Sequence, residues 1–385
     1  MNVIDAIKGL KLGRRIRRLA LRLTRVEHNL IVFDSFFGCH ISDSPLAIFD
    51  HIDHEKYRCY FMVNQPEDFE NYPTIRRGSF RAYYYLSKAK FIIGNSRMPL
   101  AWKKKKGQVY LQTWHGTPLK RLVHDQIAFD APSANSFEEY CAIFTKDSDR
   151  WDYLFSGCPY ASEKFRSAFK SNAEILEIGY PRNHKLYHHT DEDILGIKKK
   201  LGISSEKRVI LYAPTYRDNQ NIGAESYFFD DRLDYELLHR DLDNIVILVR
   251  YHYLVNQKKR LEYEDVIDVS SHQDINDLFL ISDILITDYS SVFFDYSILK
   301  RPFFFFVPDF EEYEGELRGF YLDMNQDLPV KPVRTTEELI QQIKQADEYN
   351  FETFSSLYNP ERNKECIPHT LNLIDSIYED ARNVK

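Results

Sequence analysis

The stretch Gln108-Val-Tyr-Leu-Gln-Thr-Trp-His-Gly-Thr-Pro-Leu-Lys120 runs from β-type residues into what reads as a helix start. The alternation of Val109, Tyr110 and Leu111 predicts a short strand ending at Gln112. Thr117 suits a helix N-cap and Pro118 the first helical position, where a missing N–H costs nothing. Trp114, His115 and Gly116 lie between them, on a loop at the carboxyl end of a strand. In an open α/β sheet, ligands bind at that edge, and a helix N-terminus attracts anions. A histidine placed there suggests proton transfer beside phosphoryl chemistry.

The same rhythm extends in both directions. Upstream and just downstream, Leu30–Phe33, Tyr57–Val63, Phe91–Ile93, Cys141–Phe144 and Glu174–Ile178 read as strands, with helices at Ser44–Ile52 and Ser148–Phe155. Residues 187–206 are polar, carry one short helix (Glu192–Leu201, stopped by Gly202) and read as a connection. A second series follows, with strands at Val209–Tyr212, Ile245–Val249, Val266–Val269, Ile284–Thr287 and Phe303–Val307. Helices are predicted at 233–242, 274–281, 291–299 and 335–346. Alternating βα units imply parallel sheets, and two such series imply two doubly wound domains facing across a cleft. The division expected is 1–27 as a basic amphipathic helix, 28–190 as one Rossmann-like domain and 191–385 as the other.

The chain has 385 residues, 43% apolar and 28% charged, as in an ordinary globular protein of about two domains. Five scattered cysteines without CxxC spacing argue for a reducing compartment and against a disulfide framework or a zinc site. No uninterrupted apolar run reaches spanning length, and the N-terminus lacks a signal-type apolar segment, so a cytoplasmic location is expected. The net charge of −7 conceals an asymmetry. Residues 1–27 hold eight Lys/Arg against two acids, and residues 71–124 hold twelve Lys/Arg and no Asp or Glu, which leaves −25 on the remainder. A basic face on the N-terminal half implies an anionic partner. The first helix, with Ile7, Leu10, Ile16, Leu19 and Leu23 among its cations, fits an anionic membrane surface or a solvated packing face.

In the second half the chemistry collects at strand ends. Tyr212 leads to Ala213-Pro-Thr-Tyr-Arg-Asp218, Val249 to Arg250-Tyr-His-Tyr253, and Thr287 to Asp288-Tyr-Ser-Ser-Val-Phe-Phe-Asp295. Together they make a phosphate site, with Ser290 capping a helix and Ser291 adding a hydroxyl. Each alone has a bland reading: a serine pair before a helix is usually a cap, and a histidine after a strand is usually structural. His115 and His252 are the acid/base candidates. His51/His54 and His188/His189 lack a metal-type arrangement of further ligands, and no GxSxG or Cys/His elbow occurs.

These motifs resemble the CDP-glycerol glycerophosphotransferase family of teichoic acid primases and polymerases. The resemblance covers roughly residues 30–370. It rests on Phe33-Asp-Ser-Phe36 with Ser42-Asp-Ser-Pro45, Trp114-His-Gly-Thr-Pro118, Gly179-Tyr-Pro-Arg-Asn183 and Ala213-Pro-Thr-Tyr-Arg217, then Arg250-Tyr-His252, Thr287-Asp-Tyr-Ser-Ser291 with Phe294-Asp295, and Arg318-Gly-Phe-Tyr321. It implies a GT-B fold and transfer of glycerol phosphate from CDP-glycerol to a hydroxyl of a lipid-linked glycan or polyol-phosphate acceptor, releasing CMP, without cofactor or metal. By the same resemblance His115 is the general base and His252 stabilises the departing CMP. Arg182, Thr215, Arg250, Ser290 and Ser291 hold phosphates, and Asp295 binds glycerol or ribose hydroxyls. Trp114, Gly116, Thr117, Pro118, Pro214 and Tyr251 complete the substrate site. The implied location is the inner face of the plasma membrane, peripherally bound. Tyr253 and His184 depart from the family pattern beside the donor site, which leaves CDP-ribitol or another polyol donor open.

Two other readings have different signatures. A GT-B glycosyltransferase would attack carbon, and the E-x7-E pattern often found in such enzymes is not evident in the second half. A non-catalytic binder of anionic polymer would use the basic face alone. Nucleic acid is not expected, because RNA-motif signatures are missing.

Overall fold

The computed structural model describes residues 23–127, 134, 136–215, 221–223, 226–229, 231–251, 255–258, 263–310 and 319–383, with backbone alone at 221–223, 226–229 and 255–258. The predicted N-terminal helix and His252 lie outside the described residues.

Seven strands form the first sheet: β1 (Glu27–Asp34), β2 (Arg58–Val63), β3 (Thr74–Arg76), β4 (Ala89–Gly94), β5 (Val109–Gln112), β6 (Tyr153–Ser156) and β7 (Glu174–Glu177). Their order is β3-β2-β1-β4-β5-β6-β7 and every pairing is parallel. After β8 (Arg208–Ala213), β9 (Asn221–Gly223) and β10 (Ser226–Phe229) come β11 (Ile245–Val249), β12 (Val255–Lys258), β13 (Val266–Asp268), β14 (Ile284–Thr287) and β15 (Phe303–Phe305). Of these, β13-β11-β8-β14-β15 make a second parallel sheet, while β12-β10-β9 form a small separate one. Both large sheets reverse their strand order beside their first strand, between β1 and β4 and between β8 and β14. Those reversals are the places where doubly wound sheets open a crevice for ligands.

Both faces of the central strands are covered. All six residues of β4 and all five of β11 are buried, as parallel sheets require. The last helix, Cys366–Asn383, follows the second sheet in the chain but packs on the first. Its Cys366, Ile367 and Ile374 join Ile31, Phe33, Phe61, Phe91 and Ile93 in one apolar cluster. Tyr57, from the same cluster, donates to Asp375 of this helix at 2.7 Å. The helix thus packs on the first sheet, whereas the expected division at 190/191 groups it with the second half.

Three local expectations are overturned. Cys141–Phe144 is helical, within Phe137–Ser148, because Ser136 caps that helix by accepting from Glu139 N–H and Glu138 and Glu139 occupy its first turn. Ser148–Phe155 is not a helix: Tyr153–Ser156 is β6, paired with both β5 and β7. Most consequential, no helix starts at Thr117. Residues 119–121 instead pair with the second half, Lys120 bridging Phe320, Arg121 N–H donating to Gly319 O at 2.9 Å and Tyr321 N–H to Leu119 O at 2.8 Å. Long-range pairing outweighed local cap chemistry. Strand β3 and the helix Phe80–Lys88, capped by Ser79, were not anticipated.

Candidate active site

His115 hangs from the loop after β5, and the loop's shape is set by backbone conformations few residues adopt. Trp114 has φ 52° and Gly116 φ 123°. A Cβ on Gly116 would lie 2.5 Å from Arg182 Nη2, so glycine is required there for two reasons. The Trp114 ring is buried among Phe165 and Phe169 and stacks on His115 with centroids 4.2 Å apart. His115 Nδ1 lies 2.9 Å from the carbonyl oxygen of Asn95, at the end of β4. A carbonyl only accepts, so Nδ1 carries the proton and Nε2 keeps its lone pair in the neutral ring. Burial holds the His115 pKa below the ordinary histidine value. The ring is therefore a neutral base, oriented by a backbone carbonyl.

The rest of the Trp-His-Gly-Thr-Pro segment is tied to the first domain. Thr117 Oγ1 lies 3.3 Å from the Tyr180 hydroxyl, and Pro118 O accepts from Tyr160 O–H at 2.9 Å. Both residues are buried. The helix end that was expected to attract anions beside His115 does not exist.

Arg182 links the two halves. Its Nη1 donates to Asp43 Oδ2 at 2.7 Å and its Nη2 bonds Asp295 Oδ2. Asn183 Nδ2 donates to Asp295 Oδ1 at 2.6 Å, and Asn276 Nδ2 to Arg182 O at 2.7 Å. Burial raises the Asp295 pKa against the opposing pull of Arg182, while the two carboxylates raise that of Arg182 well above its ordinary value despite its desolvation. Both oxygens of Asp295 are engaged by protein. In this structure Asp295 and Arg182 are an interdomain clamp, with Asp43, from the quoted Ser42-Asp-Ser-Pro45 motif, as the third member. Asp43 was missed as a functional residue because a carboxylate at a helix start has an ordinary capping explanation.

On the facing wall, Thr215 and Asp288 span the reversal between β8 and β14. The Thr215 N–H and hydroxyl both donate to the Asp288 carboxylate at 3.0–3.1 Å, and Thr287 Oγ1 donates to Ala213 O at 2.8 Å. Pro214 is buried between them. Ser290 Oγ accepts from Val292 N–H at 3.4 Å; Ser291 is the residue at the helix boundary and makes no side-chain cap bond. Arg250 Nη1 donates to His272 O at 2.5 Å, and burial lowers its pKa. Tyr251 is buried and donates to Asp231 at 2.6 Å.

His40 is a further cleft residue that sequence reasoning passed over. It comes from the loop after β1, and burial together with the positive charge of Arg250 lowers its pKa. Its ring lies 6.4 Å from Phe36, which in turn lies 6.0 Å from His115. Among the described residues no group of three or more His, Cys, Asp or Glu is disposed to hold a metal, and no helix is long and apolar enough to cross a membrane.

Residues 16–366 match the family model described as CDP-Glycerol:Poly(glycerophosphate) glycerophosphotransferase. The chain is 42% identical over 346 residues to the teichoic acid poly(glycerol phosphate) polymerase of Bacillus spizizenii, covering 86% of this chain and 88% of that one. It is 42% identical over 330 residues to the polymerase of the same name from Bacillus subtilis, covering 83% of this chain but spanning only 44% of the relative's length. The ribitol-phosphate primase of B. spizizenii is 27% identical over 354 residues, with 89% of each chain covered. The structure of the wall teichoic acid polymerase TagF superposes with a TM-score of 0.88 at 36% identity, over 99% of both chains. The fold is thus the two-domain arrangement expected, and the chain belongs to the CDP-glycerol:poly(glycerophosphate) glycerophosphotransferase family.

Proposed function

We propose that this protein transfers glycerol phosphate from CDP-glycerol to a hydroxyl of a lipid-linked, teichoic acid type acceptor and releases CMP. The observation that carries the reading is the neutral His115 ring, held by Asn95 O so that Nε2 is free to take a proton. The acceptor oxygen, losing its proton to Nε2, attacks the β-phosphorus of the donor; the bond from that phosphorus to the bridging oxygen breaks, and CMP departs. Such displacement needs positioning and charge neutralisation more than covalent help. Arg250 and the Thr215, Ser290 and Ser291 groups are assigned to the donor phosphates, and His252 to the leaving CMP. Glycerol is favoured over ribitol by the higher identity to glycerol-phosphate relatives, 42% against 27% within one organism.

The basic amphipathic pattern of residues 1–27 and the cation-rich 71–124 segment support peripheral attachment at the cytoplasmic membrane face, where a lipid-linked acceptor is reached. The test is incubation with CDP-glycerol or CDP-ribitol and a lipid-linked disaccharide acceptor, measuring CMP and product. Release of CMP from CDP-glycerol, dependent on acceptor, supports the reading. Preference for CDP-ribitol, or turnover of a nucleotide sugar instead, rejects it.

A further inference from the structure

The wall carrying His115 continues into a constellation that proton transfer does not use. Phe36, Phe37 and Gly38 leave β1 with three successive positive φ values, 45°, 58° and 77°. For two phenylalanines this backbone is strained, and the end of β4 holds it in place. Asn95 Oδ1 accepts from Phe36 N–H at 2.8 Å and Ser96 Oγ from Phe37 N–H at 2.9 Å. The outcome is a Phe37 left 44% exposed, with the Arg77 guanidinium 5.8 Å and the Arg97 guanidinium 5.9 Å from its ring centroid.

The two arginines differ in one respect. Arg77 is neutralised by Asp34, at 2.7 Å. Arg97 has no carboxylate within ion-pair distance among the described residues. It is half-buried, its guanidinium lies 4.3 Å over the Phe144 ring, and its Nε is buried without a hydrogen-bond partner. Asp147 acts on it electrostatically but is itself engaged by Arg150, Trp151 Nε1 and Met98 N–H, so the cost of desolvating the Arg97 cation is only partly offset. Two residues beyond Phe144, Lys146 enters the lining of a cavity of about 340 Å³ with Trp102, Lys103, Lys104, Asp149 and Arg150. Lys104 and Arg150 are paired with Asp152 and Asp147, whereas Lys103 and Lys146 have no ion-pair partner among the described residues.

We infer that Arg97 and Phe37 form a subsite for a phosphodiester of the acceptor, back along the chain from the hydroxyl that His115 deprotonates. The lysine-lined cavity takes a further phosphate of the same acceptor. The order on the wall is His115, Phe36, Phe37, Arg97, Phe144, each next to the one before in space or sequence, and Leu100, three residues beyond Arg97, belongs to the lining of the cavity. A guanidinium recessed between two rings is reached by a flexible anionic chain and not by a flat bilayer surface. This assignment rests on the proposed reaction for its orientation, but the binding itself needs no donor.

The test is titration of a labelled soluble oligo(glycerol phosphate) by fluorescence anisotropy, without CDP-glycerol, on the whole protein and on Arg97→Gln, Arg97→Lys and Lys103→Gln/Lys146→Gln. Arg97→Gln is expected to weaken binding about tenfold or more, the loss of one charged hydrogen-bonding group, and Arg97→Lys to restore part of it. The double variant weakens long oligomers more than short ones. In turnover, Arg97→Gln raises the acceptor KM by the same factor and leaves the CDP-glycerol KM and the melting temperature unchanged. If Arg97→Gln lowers the melting temperature, Phe37→Ala on the exposed ring replaces it, with the same expected loss. Oligomer binding that stays at the original level in these variants overturns the subsite, as does loss of binding to anionic phosphatidylglycerol vesicles with oligomer binding intact. Absence of CMP release alongside an Arg97-dependent oligomer affinity would instead reject the donor assignment and leave the subsite standing.

Discussion

Replacing Arg182 by methionine removes the charge that joins the two halves of the protein while keeping most of the side-chain volume. The Arg182 side chain is 15% exposed, and those of Asp43 and Asp295 are 6% and 7%. Removing one partner of a buried ion pair costs about 3–5 kcal/mol, because the remaining charge stays buried and uncompensated. Here two carboxylates are left, although Asn183 still donates to one of them. Most single domains are stable by only about 5–15 kcal/mol, so the variant should fold with much of its margin gone. The sign with pH follows from the carboxylates. Burial already raises the Asp295 pKa and Arg182 opposes it; without the guanidinium it rises further, and the folded state binds a proton that the unfolded state does not hold until lower pH. The deficit is therefore largest at neutral pH and shrinks as pH falls through the raised value. Urea unfolding followed by tryptophan fluorescence reads this, since Trp102, Trp114 and Trp151 are all buried in the first domain. Adding Asp43→Asn and Asp295→Asn to Arg182→Met should recover most of the loss. A loss below about 1 kcal/mol, typical of an exposed pair, or no recovery in the triple variant, would refute the clamp.

Three other consequences are measurable. Asp34 is fully buried and its pKa is pushed up to about 6 from 3.8 by desolvation, despite Arg77. Its contribution to stability is present at low pH and lost as pH rises through that value, a difference of about 3 kcal/mol; in Asp34→Asn this part of the pH dependence of urea unfolding should vanish. Gly116→Ala puts a Cβ 2.5 Å from Arg182 Nη2 at a backbone φ of 123°. It should cost at least about tenfold in kcat/KM and about 1–3 kcal/mol of stability, whereas wild-type behaviour would mean that the loop relaxes freely. Thr215→Val deletes the hydroxyl that donates to Asp288 across the β8–β14 reversal and should raise the CDP-glycerol KM about tenfold, the loss of a hydrogen bond to a charged group. An unchanged donor KM would remove Thr215 from the donor site.

The parallel sheets were legible because their strands are short β-branched and aromatic runs buried on both faces; Val109–Gln112, Ile245–Val249 and Ile284–Thr287 fall on β5, β11 and β14 residue for residue. Cys141–Phe144 was misread because a four-residue apolar run has no period of its own, and the deciding signal, Ser136 followed by two glutamates, lay outside it. The helix expected at Thr117 failed for a different reason. Thr-Pro is a sound local start signal, but the backbone of 119–121 is claimed by Gly319–Tyr321, some two hundred residues away. No local propensity records such pairing. At the site, His115 was legible as a histidine at a strand end, while its tautomer depended on Asn95 O, a backbone group without side-chain identity. Arg182 and Asp295 could be named from their motifs, but their union with Asp43 could not, because it exists only once the two domains meet.

The most direct test of the account is acceptor-dependent CMP release from CDP-glycerol as a function of pH, by the wild-type protein and by His115→Ala. A neutral base whose pKa burial holds below the usual histidine value of about 6.5 predicts an acid limb centred below that value and a plateau through neutrality. His115→Ala should lose roughly 10²–10⁴-fold in kcat, the range of general base catalysis, with CDP-glycerol binding unchanged. A His115→Ala variant that releases CMP at near wild-type rate, or an acid limb that survives unaltered in it, would contradict the assignment of His115 as the base.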